Sequence, residues 1–328
     1  MYSGKVCLCV SLLSIAASAD PASSWAESMR QGQLLQRQGR FREAQAHFES
    51  ALHEAERVPE DVDRQGAALS NLASVAIDLD RMEEAARLCE RAISILVKTA
   101  GEADARVQTL RAELAGLFLD AGQVSTAEKL LRETIALLAK TSQATSPQAA
   151  FALDVLACFY ARQKKMAMAE KTERQSLAVL EALPEPEDLS VAVANLHLSL
   201  FLNFRKKAAE ALPYVEHAMA MFKALPEPQP VLEASASMSL ASIYVSVGRR
   251  NEAEQESERG LRLVESFYGP AHSQTAWMLL AHAAVLRRLN RKQEARAPQK
   301  QGERILAEDR KRNHLGETVP LKALLPLR

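Results

Sequence analysis

A turn that recurs at a fixed interval constrains the fold of this chain more than any other feature of its sequence. Each turn residue is followed five positions later by an alanine, as in Gly39 with Ala44 and Gly248 with Ala253. The seven turn residues are Gly39, Asp80, Gly122, Lys164, Lys206, Gly248 and Asn290. They are separated by 41 residues once and by 42 residues five times. Such regular repetition predicts an array of similar units that stack on one another.

The segment before each turn has the pattern of a helix with one closely packed face. In the third unit, Leu114, Ala115 and Phe118 place a large, a small and a large residue at i, i+1 and i+4, which is one face of a helix. The small residue returns at Ala73, Ala157, Ser199, Ala241 and Ala283. Because a small side chain lets a second helix approach closely, we expect each unit to be a hairpin of helix A, a short turn and helix B.

Prolines and capping residues separate the units. Leu183-Pro184-Glu185-Pro186 returns 42 residues later as Leu225-Pro226-Glu227-Pro228, and proline ends a helix because it clashes with the preceding turn. Asp104, Ser146 and Asp188 also lie 42 residues apart. These residue types suit the N-cap of the next helix A.

These repeats resemble the tetratricopeptide repeat. The hallmarks of that family fall on Leu114-Ala115, Phe118, Gly122 and Ala127, and again on Leu240-Ala241, Tyr244, Gly248 and Ala253. The spacing of 42 residues, rather than the common 34, is similar to the kinesin-light-chain type of repeat, as is the link Tyr268-Gly269-Pro270-Ala271-His272. The resemblance implies a scaffold that binds other proteins, with helices A lining a concave face.

We therefore predict an all-α fold, an α-solenoid of seven helix-turn-helix hairpins wound into a right-handed superhelix. The repeat domain spans residues 20–309, with units near 25–65, 66–107, 108–149, 150–191, 192–233, 234–275 and 276–309. Residues 310–328 form a C-terminal tail with apolar residues and prolines. The tail is either a disordered end or a segment that covers the last unit or occupies the groove.

The first nineteen residues have the pattern of a secretory signal peptide. Lys5 precedes the apolar run Val6 to Ala17, and Ala17-Ser18-Ala19 follows the small-x-small pattern of a cleavage site. We expect cleavage after Ala19 and a periplasmic or secreted mature protein. The run is too short to span a membrane, which takes about 20 residues, so no stable membrane insertion is expected after cleavage.

The sequence shows no pattern of a catalytic, metal or cofactor site. It has no His-Glu-x-x-His, phosphate-binding loop or Gly-x-Ser-x-Gly motif, and we expect neither enzymatic activity nor a cofactor. With 41 basic and 41 acidic residues the formal net charge is zero, which gives no reason to expect nucleic-acid binding. Cys89 and Cys158 fall three helix-to-helix steps apart in the repeat register, so we expect two free, buried thiols.

A stripe along successive helices A is the candidate partner surface. Taken at i, i+3, i+7 and i+10, it is largely apolar, which suits a peptide or an amphipathic helix. The candidate groove residues are Phe151, Asp154, Cys158, Arg162, Leu196, Asn203, Met238, Ser242, Trp277, Leu280 and Arg287, and Arg288 stands with Arg162 at the edge. The same residues also fit simple packing between helices.

We predict a non-catalytic scaffold or adaptor that binds a protein or peptide in the concave groove. An alternative is a carrier of an apolar small molecule or lipid in the same groove. The third hypothesis is an enzyme whose active site the sequence does not reveal.

Overall fold

The computed structural model describes residues 24–141, 143–184 and 188–313, and within them it contains fourteen helices and no strand. The helices are α1 (Ser24–Arg37), α2 (Phe41–Glu56), α3 (Val62–Asp78), α4 (Met82–Ala100), α5 (Ala105–Asp120), α6 (Val124–Lys140), α7 (Pro147–Arg162), α8 (Met166–Glu181), α9 (Asp188–Phe204), α10 (Ala208–Ala224), α11 (Pro230–Val247), α12 (Arg250–Tyr268), α13 (Ser273–Arg288) and α14 (Arg296–Asn313). The predicted signal peptide and residues 314–328 of the predicted tail lie outside these ranges.

The helices form seven antiparallel hairpins, α1–α2 through α13–α14, in which odd-numbered helices are helix A and even-numbered helices are helix B. Each helix B also packs on the next helix A, and successive helices A contact one another, as α5 contacts α7 and α11 contacts α13. The apolar core therefore runs along the whole stack instead of forming one centre. This architecture confirms the predicted all-α solenoid of seven hairpins.

All seven predicted turn residues adopt the left-handed backbone conformation. This includes Lys164 and Lys206, with φ of 61° and 63°, which the sequence suggested less clearly than the glycines. In every hairpin the next N–H bonds to the carbonyl five residues back, as Lys165 N bonds to Tyr160 O at 2.9 Å. This is the Schellman ending of a helix. It tolerates lysine although a left-handed residue other than glycine costs about 1–2 kcal/mol.

Small residues set the distance between helices. The predicted small positions of helix A are buried in the stack, as Ala115 and Ala157 show. The first unit has Gly32 at this position, and a Cβ there would lie 2.6 Å from the ring of Phe48. Glycine is therefore required at Gly32 because Phe48 of α2 occupies the space that an alanine side chain would need.

Side-chain caps start several of the helices A as predicted. Asp104 accepts a hydrogen bond from Arg106 N, and Ser146 accepts one from Ala149 N with Pro147 in the first position of α7. His272 caps α13 by accepting from Gln274 N. The last helix B departs from the register: α14 begins only at Arg296, so Pro298 falls in its first turn, where proline is tolerated, and causes no kink in mid-helix.

Helix α11 is the one described helix whose length and composition would allow it to cross a membrane. Half of its apolar window is buried inside the protein, and it packs against α9, α10, α12 and α13. Its apolar character therefore matches its position inside the stack.

The first two units touch the link between the sixth and seventh units, so the superhelix closes on itself. We call this contact the closing seam; it consists of Phe41, Asp78, Asp80, Phe267, Tyr268, His272 and Ser273. The ring of Phe41 meets those of Phe267 and Tyr268 at centroid distances of 5.9 and 5.5 Å, and Tyr268 stacks on His272 at 4.3 Å. These rings join parts of the chain that are more than 200 residues apart in sequence.

Hydrogen bonds complete the closing seam. His272 Nδ1 accepts from Gln274 N, so its Nε2 carries the proton and donates to Asp78 O at 3.0 Å. The hydroxyl of Ser273 donates to Asp80 Oδ1 at 2.8 Å. The carboxylate of Asp78 accepts from Gln36 Nε2 at 2.7 Å and from the hydroxyl of Tyr268. The polar groups of the seam are thus paired within the protein.

Candidate binding groove

The helices A of the fifth, sixth and seventh units enclose a cavity on the inner face of the superhelix. The cavity has a volume of about 650 Å³ and is lined by α9, α11 and α13, together with Lys206 of the fifth turn, Ala208 of α10 and Val264 of α12. Its volume lies within the range of about 300–1,000 Å³ that is usual for ligand pockets. Phe204, Met238, Trp277 and Met278 make its wall largely apolar.

Four of the predicted groove residues line this cavity: Asn203, Met238, Ser242 and Trp277. Leu200, Ser235 and Ala284 of the same helical stripe line it as well. The spacing of i, i+3, i+7 and i+10 therefore selected residues that share one surface across three units.

The remaining predicted residues lie elsewhere. Phe151 and Asp154 border a separate cavity of about 20 Å³, and Cys158 and Leu196 are fully or almost fully buried. Leu280 packs toward Ile305 and Leu306 of α14. Arg287 is exposed and donates from Nη1 to Gln299 Oε1 at 3.0 Å. Arg162 is partly buried and does not line the larger cavity.

The stripe on α13 is rotated by about one residue from its predicted position. The cavity is lined there by Gln274, Trp277, Met278, Ala281, Ala284, Val285 and Arg288. Thus Arg288, rather than Arg287, faces the cavity. A signal for this was present in the repeat register, because Arg288 follows Ser246 by 42 residues and Ser246 follows Phe204 by 42 residues. All three line the cavity.

A hydrogen-bond network joins the three helices A at one side of the cavity. Asn203 Nδ2 of α9 donates to Ser242 Oγ of α11 at 2.9 Å. Arg288 of α13 donates from Nη1 to the backbone oxygen and hydroxyl of Ser242 at 3.2 and 3.0 Å, and from Nη2 to Ser246 Oγ at 2.7 Å. The network fixes the guanidinium of Arg288 at the cavity wall although the residue is exposed to solvent.

The charged residues that line the cavity have one sign. They are Lys206 and Arg288, and among the described residues no carboxylate lines the cavity. Neither of these two cations forms an ion pair with any residue in the described part of the chain, whereas the neighbouring Lys207 pairs with Glu170 and Glu210. The cavity therefore combines an apolar wall with uncompensated positive charge.

A separate polar cluster is buried between α7, α8 and α9. Asp154 is hydrogen-bonded to His197 Nδ1, and with Cys158 these side chains place potential ligand atoms within 4.8 Å of one another. Burial, and then the charge of Asp154, raise the pKa of Glu173 well above its usual range. Cys89 is a free thiol, as predicted. Cys158 is fully buried in this cluster, and a free thiol at Cys158 stays a prediction for the chain that begins at Asp20.

A comparison with protein-family models matches both ends of the solenoid. The tetratricopeptide repeat family model matches residues 24–98 and 232–308, which cover the first two units and the last two. Residues 24–98 and 232–308 are thus tetratricopeptide repeats, and the seven left-handed turns place the remaining units in the same register. The comparison with curated proteins found no match.

Solved structures support the same fold. The chain is similar to the Rap protein complexed with Competence and Sporulation Factor, with 15% identity, a TM-score of 0.66 and coverage of 88% of this chain and 76% of that one. It is similar to the quorum sensor NprR from B. thuringiensis, with 16% identity, a TM-score of 0.60 and coverage of 88% and 78%. It is also similar to BtubC (BKLC) from P. vanneervenii, with 20% identity, a TM-score of 0.52 and coverage of 71% and 92%.

Proposed function

We propose that this protein is a non-catalytic scaffold that binds a peptide segment of a partner protein in the cavity between α9, α11 and α13. The observation that carries the proposal is the position of the cavity. It lies on helices A, where Met238 and Trp277 stand beside hydrogen-bonding side chains such as Asn203 and Ser235. Apolar contacts supply affinity, and the polar groups can pair with the backbone of a peptide.

The fold comparison supports the same function. Tetratricopeptide-repeat proteins are in general interaction scaffolds, and the similar Rap structure is a complex with Competence and Sporulation Factor. A chain of stacked hairpins offers a long inner surface but few converging reactive groups. Histidine, cysteine and carboxylate side chains are the usual groups for acid–base or nucleophilic catalysis, and none of them lines the cavity in the part of the chain that the structure describes.

Photocrosslinking tests the proposal with a pair of matched positions. Benzoylphenylalanine at Met238 faces the cavity, whereas the same group at Met168 is exposed on helix B of the fourth unit. In extracts of cells that make the protein, we expect the Met238 probe to crosslink a discrete set of proteins, and Trp277→Ala to reduce this set. Equal crosslinking from both positions would contradict binding in the cavity.

A carrier of an apolar small molecule remains the second candidate. The enclosed volume of about 650 Å³ and the largely apolar wall also suit such a ligand. Mass spectrometry of the organic-solvent extract of the purified protein separates the two. A stoichiometric lipid that the Met238→Glu variant loses would favour the carrier, and its absence together with protein crosslinks would favour the scaffold.

We also propose that the protein is exported. The support is the sequence pattern of residues 1–19, with Lys5, the apolar run to Ala17 and the small residues Ala17 and Ala19. The intact mass of the protein from its native cells should correspond to a chain that begins at Asp20. A mass that includes residues 1–19 would contradict cleavage after Ala19.

A further inference from the structure

We propose that Arg288 forms an anion-binding subsite of the cavity, and that the segment bound there is an apolar peptide with an acidic side chain that pairs with Arg288. This inference rests on the proposed peptide-binding function and specifies the chemistry of the ligand. It arises from three observations: the guanidinium is fixed, it has no carboxylate partner among the described residues, and these residues also offer no hydrogen-bond partner to an amide in the same cavity.

The guanidinium of Arg288 keeps donors available after its internal contacts are made. It carries five N–H groups, and it makes three hydrogen bonds, all to Ser242 and Ser246 through Nη1 and Nη2. Nε and a second hydrogen on Nη2 have no acceptor among the described residues. Nε and Nη2 are adjacent nitrogens of the guanidinium, and such a pair can bind a carboxylate through two parallel hydrogen bonds.

The surroundings of Arg288 favour an anion from outside the chain. Its three acceptors are neutral oxygens, so the positive charge is held in place without being neutralised. Ser242 is fixed in turn by Asn203, which keeps the guanidinium oriented before a ligand arrives. Such preorganisation reduces the loss of side-chain entropy on binding. Lys206 adds a second positive charge to the same cavity.

The polar side chains of the cavity favour a peptide over a lipid as its ligand. The side-chain amide of Gln274 faces the cavity and has no hydrogen-bond partner in the described part of the chain. An amide pairs with the N–H and C=O groups of a peptide backbone, whereas the hydrocarbon chain of a fatty acid offers it no partner. Met238 and Trp277 provide the apolar contacts for neighbouring side chains of the peptide.

Fluorescence anisotropy with two pools of synthetic hexapeptides tests the subsite. Both pools are labelled, amidated and rich in Leu, Phe and Met; one carries Glu at a fixed position and the other carries Gln there. We expect the full chain to bind the Glu pool about tenfold more tightly, which corresponds to about 1.4 kcal/mol. Arg288→Gln should remove this preference, Arg288→Lys should restore part of it because one charge remains without the paired donors, and Arg287→Gln should retain it.

The outcomes separate the subsite from the function on which it rests. If both pools bind equally and Trp277→Ala weakens both, the peptide groove stands and the subsite is refuted. If neither pool binds, the proposed function itself fails. If dodecanoate binds in an Arg288-dependent manner while the peptides do not, the anion site belongs to a carrier of carboxylated lipids, and the inference of a peptide is overturned.

Discussion

The closing seam and the cavity on the inner face both contain polar and aromatic side chains, but these side chains are paired with one another in the seam and left available in the cavity. In the seam, the carboxylate of Asp78 is bonded by Gln36 and Tyr268, and His272 donates to a backbone oxygen. In the cavity, Arg288 is held by neutral groups and has no carboxylate partner among the described residues. Paired polar groups hold a structure together, whereas an oriented but unpaired group is prepared for a ligand.

The two regions also differ in how their aromatic residues are used. Phe41 of the seam is 8% exposed and contacts two other rings, while Phe204 of the cavity is 47% exposed. An exposed phenylalanine gains little from folding because it stays in water, but it gains apolar contact when a ligand covers it. The same residue type therefore stabilises the fold in one region and is available for binding in the other.

The largest effect is expected from the pair Phe41→Ala and Phe204→Ala. Phe41→Ala should lower the free energy of unfolding by about 3–5 kcal/mol, because it removes a buried ring from the seam. Phe204→Ala should cost less than about 1 kcal/mol, because about half of the residue is already in solvent. Chemical denaturation measures both, and equal losses would remove the distinction between the two regions.

The second effect is a dependence of stability on pH that arises from Asp78. Burial raises the pKa of its carboxyl from the ordinary 3.8 to about 7, and the hydrogen bonds from Gln36 and Tyr268 offset this only in part. The nearby charge of Asp80 raises it further, and His272 is the remaining titratable group of the seam beside Tyr268. Because the pKa is raised, the contribution of Asp78 is fully present below about pH 4 and is lost as the pH rises through 7.

Asp78→Asn tests this dependence, because asparagine is neutral at every pH. The variant should equal the wild type near pH 4 and exceed its free energy of unfolding above pH 7, by at most about 4 kcal/mol. Denaturation at both pH values checks the prediction. The same difference at pH 4 and pH 8 would show that the substitution acts through packing rather than through a proton.

The smallest effect is expected from Arg288→Gln. Since this residue is exposed and makes no ion pair with a described residue, its replacement should change the free energy of unfolding by no more than about 0.5 kcal/mol. Arg287→Gln, at the neighbouring exposed position, is the control. If Arg288→Gln alone lowered the free energy of unfolding by several kcal/mol, Arg288 would stabilise the fold. The polar groups of the cavity would then have the same structural role as those of the seam.

The sequence predicted the features that repeat within one unit. The turn positions, including Lys164 and Lys206, followed from the register alone, because each turn ends helix A in the same local hydrogen-bond pattern. The small residues and the caps at Asp104 and Ser146 are also local features. Such features depend on neighbours a few residues away, so the sequence pattern was sufficient.

Features that depend on the accumulated curvature of the stack were not predicted. The seam brings His272 to Asp78, 194 residues away, and whether these units meet depends on small rotations between seven hairpins. The cavity was predicted in part: Met238, Ser242 and Trp277 followed from helical spacing. Arg288 was assigned only to the edge, because a rotation of one residue on α13 is smaller than a spacing pattern can resolve.

The central claim is that the seven hairpins close into a ring at the seam, with the binding cavity on the inner face. The most direct test is a distance measurement by pulsed electron paramagnetic resonance between spin labels at Arg42→Cys and Ser266→Cys. Both positions are exposed, and each adjoins an aromatic residue of the seam. A single short distance with a narrow distribution is expected. A broad distribution at long distance would show an open superhelix and contradict the claim.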